Sequence, residues 1–352
     1  MRAIWSAPES EYVKIESMSD SIFETRCNRC GNCATACGFL AENGPPGSIV
    51  AGPDAADMAF SCMVCGLCTE LCPEGLDSAS VFLALRAGVS ERPQHLSGLA
   101  RHEAVGASFP FVLYALPKIC DTVFFPGCSL AGTRPETTEA CFLALKKHLP
   151  DIGVVLDCCI RPSHDMGRTA VFGRRFTALS LRFAQRGIRR VLTACPGCQA
   201  TLAMNPDLDV STVYEFFAGH GGPSPEKLTG EICVHDPCAT RNSEGLHEAV
   251  RHLLCGMGAG LSEMENFRRT SLCCGKGVGA DNPDQAGTIG LQAGGRRIFT
   301  YCSCCAEVLG ADHVLDHLLR PKGGGPFRVY RHPRAYARRL LLKRRLSRMI
   351  GR

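Results

Sequence analysis

The chemistry of this sequence is carried by cysteine. Cys27, Cys30, Cys33 and Cys37 follow the spacing C-x2-C-x2-C-x3-C, and Cys62, Cys65, Cys68 and Cys72 repeat it, with Pro73 after the second run and Gly38 after the first. Three thiolates three residues apart can wrap a turn of backbone around three corners of a cube of iron and sulfide, and the fourth corner has to come from elsewhere. Structural zinc is the other chemistry such residues offer. Its tetrahedral sites use four cysteines as two pairs, a pattern that three evenly spaced thiols fit poorly. The spacing therefore favours two [4Fe–4S] clusters.

Ferredoxins with two clusters supply the fourth corner by reaching across, the last cysteine of each run serving the other cluster. That pattern assigns Cys27, Cys30, Cys33 and Cys72 to one cluster, and Cys62, Cys65, Cys68 and Cys37 to the other. The stretch between the runs, residues 38–61, is longer than in the most compact ferredoxins and predicts a helix-rich form of the domain.

Ten further cysteines form two quintets: Cys128, Cys158, Cys159, Cys195 and Cys198, then Cys238, Cys273, Cys274, Cys302 and Cys305. An internal repeat relates them. TACPGCQATL (193–202) aligns without gaps on TYCSCCAEVL (300–309), Cys158-Cys159 answers Cys273-Cys274, and FFPGC ending at Cys128 answers VHDPC ending at Cys238. These landmarks recur after 110, 115 and 107 residues, so the repeat unit is a domain and not a solenoid turn. Five thiols are too many for one tetrahedral zinc or one ordinary cubane, and adjacent cysteines suit a site in which neighbouring thiolates bridge or bind different irons. Of the remaining cysteines, Cys120, Cys141, Cys233 and Cys255 read as small buried residues, whereas Cys304, inside the last C-x2-C loop, reads as a spare ligand or a reactive thiol. His235 and His164 lie close enough in sequence to donate a proton to a leaving thiolate, or serve as ordinary hydrogen-bonding side chains. Lys276 either neutralises cluster charge or faces solvent.

Positioning these groups calls for an α+β multidomain chain. Eight cysteines fall between Cys27 and Cys72 and none follows until Cys120, which predicts a helix-rich two-cluster ferredoxin-type domain over 1–88 and a linker over 89–118, where Pro93, Pro110 and Pro117 lie. Beyond it, short apolar runs (122–127, 153–157, 190–195, 231–236 and 297–302) alternate with helix-like stretches (136–149, 170–187 and 244–255). Such alternation predicts two repeated α/β cysteine-rich domains with largely parallel sheets, over 119–228 and 229–322. A basic tail, 323–352, closes the chain.

The segments FFPGC, CC-x-x-P, CPGC, HDPC, CCGKG and the final C-x2-C resemble the paired cysteine-rich CCG domains of the heterodisulfide reductase family, over roughly residues 20–320. That family includes disulfide-reducing subunits of methanogens, the small iron–sulfur subunit of anaerobic glycerol-3-phosphate dehydrogenase, and iron–sulfur subunits of lactate-oxidising and fumarate-reducing complexes. The resemblance implies one or two further Fe–S clusters in the CCG domains, of the noncubane [4Fe–4S] type that binds and cleaves a disulfide. Carried over residue by residue, it makes Cys238, Cys273, Cys274, Cys302 and Cys305 the catalytic set, because Gly275 completes the CCG motif. The first quintet departs from the pattern at Ile160, where a β-branched side chain does not easily take the positive φ that glycine permits. A cluster of different geometry or reactivity is expected there.

Composition narrows the setting. There are 23 cysteines in 352 residues, but disulfide scaffolds are short and secreted, and the N-terminal MRAIWSAPESEY has no apolar signal-peptide core. The thiols read as reduced or metal-bound and the compartment as cytoplasmic. No apolar run approaches the ~18 residues that cross a bilayer. The net charge of +5 hides an asymmetry, because residues 327–352 hold ten Lys/Arg and no Asp/Glu, leaving 29 basic against 34 acidic groups elsewhere. That body charge argues against nucleic acid as a partner. In 336–350, Leu340, Leu341, Leu342, Leu346, Met349 and Ile350 recur near helical spacing among basic residues, which suits an anionic membrane surface or an acidic partner, or a helix that packs its leucines on the body. No motif for flavin, nicotinamide or haem is present, so electrons are expected from a redox partner, a flavoprotein or a membrane cytochrome. Two functional readings remain: an oxidoreductase subunit that reduces a disulfide-like substrate, and an electron-transfer subunit linking a flavoprotein dehydrogenase (such as one oxidising glycerol 3-phosphate or lactate) to a membrane quinone pool, peripheral on the inner face of the membrane.

Overall fold

The structure is a computed structural model that describes residues 26–89, 93–223, 227–277, 283–320, 325–331 and 333–350. The apolar runs become strands because helices cover them on both faces, the usual environment of parallel sheets. β1 (Leu113–Ala115), β2 (Thr122–Phe125), β3 (Gly153–Leu156), β4 (Arg190–Thr193) and β5 (Asp209–Thr212) form a sheet of order β1-β3-β2-β4-β5. β6 (Glu231–His235), β7 (Gly260–Leu261), β8 (Arg297–Thr300) and β9 (Asp312–His313) form a second, of order β7-β6-β8-β9. All pairings are parallel except β1 with β3, and every residue of β2 and β3 is buried. With β1 set aside, the two sheets have the same strand order, so the repeat seen in the cysteines is a repeat of the fold.

Helices follow the same duplication. Pro135–His148 corresponds to Glu244–Gly256, Pro196–Leu202 to Ser303–Leu309, and Val213–His220 to Val314–Leu318. The first begins with Pro135 at its opening turn and ends on Lys146, Lys147 and His148, charges that suit the carbonyl end of a helix. Val213–His220 starts from a capping box between Thr212 and Glu215. One continuous apolar core runs through both units and includes Phe124, Leu192, Tyr214, Val234, Leu254, Phe299 and Tyr301. The fold is mixed helix and sheet, 53% against 11%, which is the class expected.

Residues 26–89 carry short helices, Gly38–Asn43, Pro46–Val50, Ala55–Ala59 and Leu67–Glu70, and a longer one, Ser78–Gly88. They pack around Leu40, Ile49, Ala59 and Phe82. The first 25 residues of the expected N-terminal domain lie outside the described residues.

One part of the chain departs from expectation, and a second settles between alternatives that the sequence left open. The segment read as a linker, 89–118, holds the helix Ser97–Gly106 and strand β1, and both are integrated into the fold. Glu103, fully buried on that helix, accepts hydrogen bonds from the Ser163 amide (2.6 Å), the Ser163 hydroxyl (2.7 Å) and Arg175 (2.9 Å). The basic tail is also not free. Its helix, Arg334–Ile350, lies on the first unit with Leu342 and Leu346 fully buried in the shared core, Lys343 donating to the Pro110 carbonyl (2.6 Å) and Arg345 paired with Glu139 (2.7 Å). Its buried leucines are spent on the protein itself and are not available to a membrane. Among the described residues no helix is long and apolar enough to cross one.

Candidate functional site

The eight N-terminal cysteines divide across two adjoining recesses in the crosswise arrangement. Cys27, Cys30, Cys33 and Cys72 line one with Pro45 and Pro46, and this recess also touches Cys68. Cys37, Cys62, Cys65 and Cys68 line the other. The two runs share a backbone signature: Arg29 (φ 55°) and Val64 (φ 50°), each just before the second cysteine of its run, are left-handed. That conformation is costly for β-branched valine, and it turns the Val64 amide onto the Cys62 sulfur at 3.3 Å. The thiols surround a volume, which is what a cluster of several atoms needs.

Each quintet sits beyond the carboxyl ends of parallel strands, the place where open α/β sheets carry their sites. Cys128 follows β2, Cys158 and Cys159 follow β3, and Cys195 follows β4; Cys238, Cys273-Cys274 and Cys302 occupy the corresponding places after β6, β7 and β8. Cys195 and Cys302 cap the helices Pro196–Leu202 and Ser303–Leu309, and Cys198 and Cys305 lie in their first turns. The thiols touch in one order in both units. Cys128 contacts Cys158, which contacts Cys159, then Cys198, then Cys195. In the second unit the order is Cys238, Cys273, Cys274, Cys305 and Cys302, with Cys305 and Cys274 sulfurs 3.4 Å apart. Hydrogen bonds from Cys158 and Cys198 hold the Cys159 thiol well below its ordinary pKa, and Cys273 and Cys305 do the same to Cys274.

Ile160 overturns one expectation. It takes the left-handed conformation (φ 65°, ψ 13°) that Gly275 takes in the second unit (φ 85°), and its amide approaches the Cys158 sulfur at 3.4 Å. The side chain is 1% exposed, so burial retains a strained residue where glycine would be unstrained. The quintets differ more at their first corner. Gly127 (φ 83°) precedes Cys128 and has no room for a side chain, a Cβ there falling 2.8 Å from that of Cys195. Pro237 precedes Cys238, and before it Asp236 is buried in a pair with Arg251 (2.9 Å) and accepts from Tyr301 (3.0 Å).

Other residues singled out from the sequence fall as follows. His235 is buried with its ring against Cys274. His164 is engaged by Asp165 (2.8 Å) and packs on Phe172, not on a cysteine. Lys276 is exposed, and it is its backbone amide that faces Cys274. Cys141 and Cys233 are buried and Cys120 is half-buried, but Cys255 is exposed. Cys304 touches Cys302 and lies 3.9 Å from the Ser129 hydroxyl, at the seam between the two quintets.

Sequence reasoning missed four residues. His102, from the supposed linker, contacts Cys128 and is backed by Tyr336 of the C-terminal helix. Arg86 and Arg241 are buried beside the second N-terminal set, Arg86 bonding to the Cys62 carbonyl and Arg241 to that of Cys65 (3.1 Å). Each arginine was one cation among 39, with nothing local to mark it as buried.

The sets are joined. Cys65 contacts Cys273, and that contact, reinforced by Arg241, draws the Cys65 thiol down to about 6. The Gly277 amide meets the Met63 sulfur at 3.2 Å, and Arg269 pairs with Glu70 at 2.9 Å. Tyr214 bridges the two quintets' strands by donating to the carbonyls of Ala194 (3.4 Å) and Tyr301 (3.2 Å).

The CCG family, described as a cysteine-rich domain, matches residues 122–203, the first unit, although the second has the fuller motif. The chain is 25% identical over 327 residues to a subunit of the fumarate reductase (CoM/CoB) of Methanothermobacter marburgensis, covering 79% of this chain and 64% of that protein, less than two thirds of its length. It is 22% identical over 331 residues to a subunit of the dihydromethanophenazine:CoB–CoM heterodisulfide reductase of Methanosarcina barkeri (75% of this chain, 81% of that protein). For the Methanosarcina mazei protein of the same name the identity is 23% over 329 residues, covering 74% and 80%. No solved structure matches.

Proposed function

For a chain that is heterodisulfide-reductase-like in its cysteine-rich domain and its relatives, we propose the role of an iron–sulfur oxidoreductase subunit, in which the N-terminal sets take electrons from a partner and the quintets reduce a disulfide-like substrate. The observation that carries this reading is the contact between Cys65 and Cys273, which sets the N-terminal thiols against the second quintet. Clusters held by these residues would supply one-electron carriers in series and, at the quintets, iron to bind each sulfur released by a two-electron cleavage. Cys27, Cys30, Cys33 and Cys72 would hold the outer one, and Cys37, Cys62, Cys65 and Cys68 the inner. Cys238, Cys273, Cys274, Cys302 and Cys305 would hold the substrate-facing one, and Cys128, Cys158, Cys159, Cys195 and Cys198 a further one.

The protein's own contribution is placement and cover. His235 closes the buried side of Cys274, and Arg161, paired with Asp165 at 2.9 Å, feels the charge of both Cys159 and Cys238 across the seam. The partner, a flavoprotein or membrane cytochrome, would dock where Cys30 is exposed. A second reading, electron transfer without a substrate, draws on one fact: Cys158, Cys159, Cys198, Cys273, Cys274 and Cys305 are all buried. The quinone pool is then the acceptor, with the exposed arginines of the C-terminal helix available to an anionic membrane surface.

The test is iron and acid-labile sulfide analysis of anaerobically purified protein, followed by electron paramagnetic resonance with a heterodisulfide or its thiols. A new paramagnetic species on adding substrate, abolished by Cys274→Ser, is expected. Zinc without sulfide overturns both readings. Absence of a new species, with partner-linked electron transfer intact in Cys274→Ser, leaves the electron-transfer reading.

A further inference from the structure

We propose that Arg86 and Arg241 are potential-setting residues that make the inner N-terminal site, Cys37, Cys62, Cys65 and Cys68, the more oxidising of the two, so that a single electron shared between them rests beside the second quintet. The inference rests on the reading of both recesses as [4Fe–4S] sites and goes beyond it in ranking them. Arg86 is fully buried; its guanidinium donates to the carbonyls of Ala59 (3.0 Å), Cys62 and Asp165. Arg241 is 5% exposed and donates to the carbonyls of Cys65 (3.1 Å), Ser271 (3.0 Å) and Arg269. Among the described residues neither is paired with a carboxylate: the Asp165 side chain near Arg86 is taken by Arg161 and His164. Two buried positive charges thus lie against backbone carbonyls of two cysteines of one site; the Asp165 carboxylate lends Arg86 part of its counter-charge but is shared with Arg161 and His164, and the Cys62 thiol is the other negative group that Arg86 feels.

A buried guanidinium held only by carbonyls is expensive to desolvate unless a negative charge stands nearby. A site with four thiolates supplies that charge, and reduction by one electron adds to it. In a medium of low dielectric the two arginines therefore stabilise the reduced form and raise its potential, one of the means by which proteins spread cluster potentials. Among the described residues the outer set has no such neighbours. Cys30 is exposed, and the nearby Arg26 and Asn28 are exposed and spent on Glu74. Water and salt screen whatever charge they add. Each buried arginine also ties the inner site to a different unit, Arg86 to the Asp165 carbonyl of the first and Arg241, itself in the second, to Cys65.

The experiment is a redox titration of the anaerobic full-length protein followed by electron paramagnetic resonance, with Cys30→Ser used to assign the outer signal. In Arg86→Gln and Arg241→Gln the inner midpoint is expected to fall toward or below the outer one, which stays in place, and the electron of one-electron-reduced protein moves outward. Arg86→Lys and Arg241→Lys, which keep the charge, hold the wild-type order. An unshifted inner midpoint in both glutamine variants at wild-type iron and sulfide content overturns the proposal, as does an equal shift of both signals. If one glutamine variant loses iron, the other decides. Absence of [4Fe–4S] signals from wild-type protein would instead overturn the underlying reading.

Discussion

At the scale of single residues, the first quintet depends on one position without a side chain. Gly127 takes a backbone conformation (φ 83°) reserved for glycine, and a Cβ there would lie 2.8 Å from the Cβ of Cys195 and 3.2 Å from the sulfur of Cys198. Gly127→Ala is expected to cost about 1–3 kcal/mol in backbone strain, besides spreading the corner of the site. Iron should be lost from the first quintet while the N-terminal signals persist, read by iron-to-protein ratio and paramagnetic resonance. The cysteine runs themselves were legible from spacing, which is local; the crosswise sharing of Cys37 and Cys72 came from the two-cluster ferredoxin pattern, and in the fold Cys37 lines the recess of Cys62, Cys65 and Cys68 while Cys72 lines that of Cys27, Cys30 and Cys33. His102, Arg86 and Arg241 were not, since what marks them is burial against residues far away in the chain. Ile160 was half legible. Its departure from glycine was visible, but that the backbone would keep glycine's conformation could be seen only in the fold.

At the scale of elements, the C-terminal helix has changed its meaning. Basic residues interleaved with leucine suited a membrane surface equally well, but Leu342 and Leu346 are fully buried in the core shared by both units. Leu342→Ala and Leu346→Ala are each expected to destabilise the protein by about 2–5 kcal/mol, measured by chemical denaturation. Removal of the chain after Gly325 should expose the first unit to proteolysis. The strands β2, β3, β4, β6 and β8 were readable as apolar runs, whereas β1, β7 and β9 are two or three residues long and carry no periodicity. β1 was hidden further by Pro110 and Pro117 on either side, which read as a linker. Helix Ser97–Gly106 gave no sign of its role because its anchors, buried Glu103, His102 beside Cys128 and the Gly106 carbonyl that accepts from Arg339, meet partners far away in the chain.

At the scale of the whole molecule, the N-terminal module meets the second unit through a shared apolar cluster, Leu67 with Cys233, Met264, Leu272 and Ile289, and at its edge Gly277 comes up against Met63. A Cβ on Gly277 would stand 2.7 Å from the sulfur of Met63 and 3.1 Å from its carbonyl oxygen. Gly277→Ala is therefore expected to push Cys273 away from Cys65 and to slow the passage of electrons from the N-terminal sites to the quintets without loss of iron, followed by rapid freeze-quench paramagnetic resonance. The duplication of the two units was plain in the sequence; their union was not, because a shared core leaves no motif. That union has a consequence for control. Since apolar side chains of both units interdigitate in one core, the distance between the quintets is set by packing. On the proposed role, a chain built this way would not gate its traffic by swinging one site toward another, and its throughput would follow the relative potentials of its sites and what docks at its outer end.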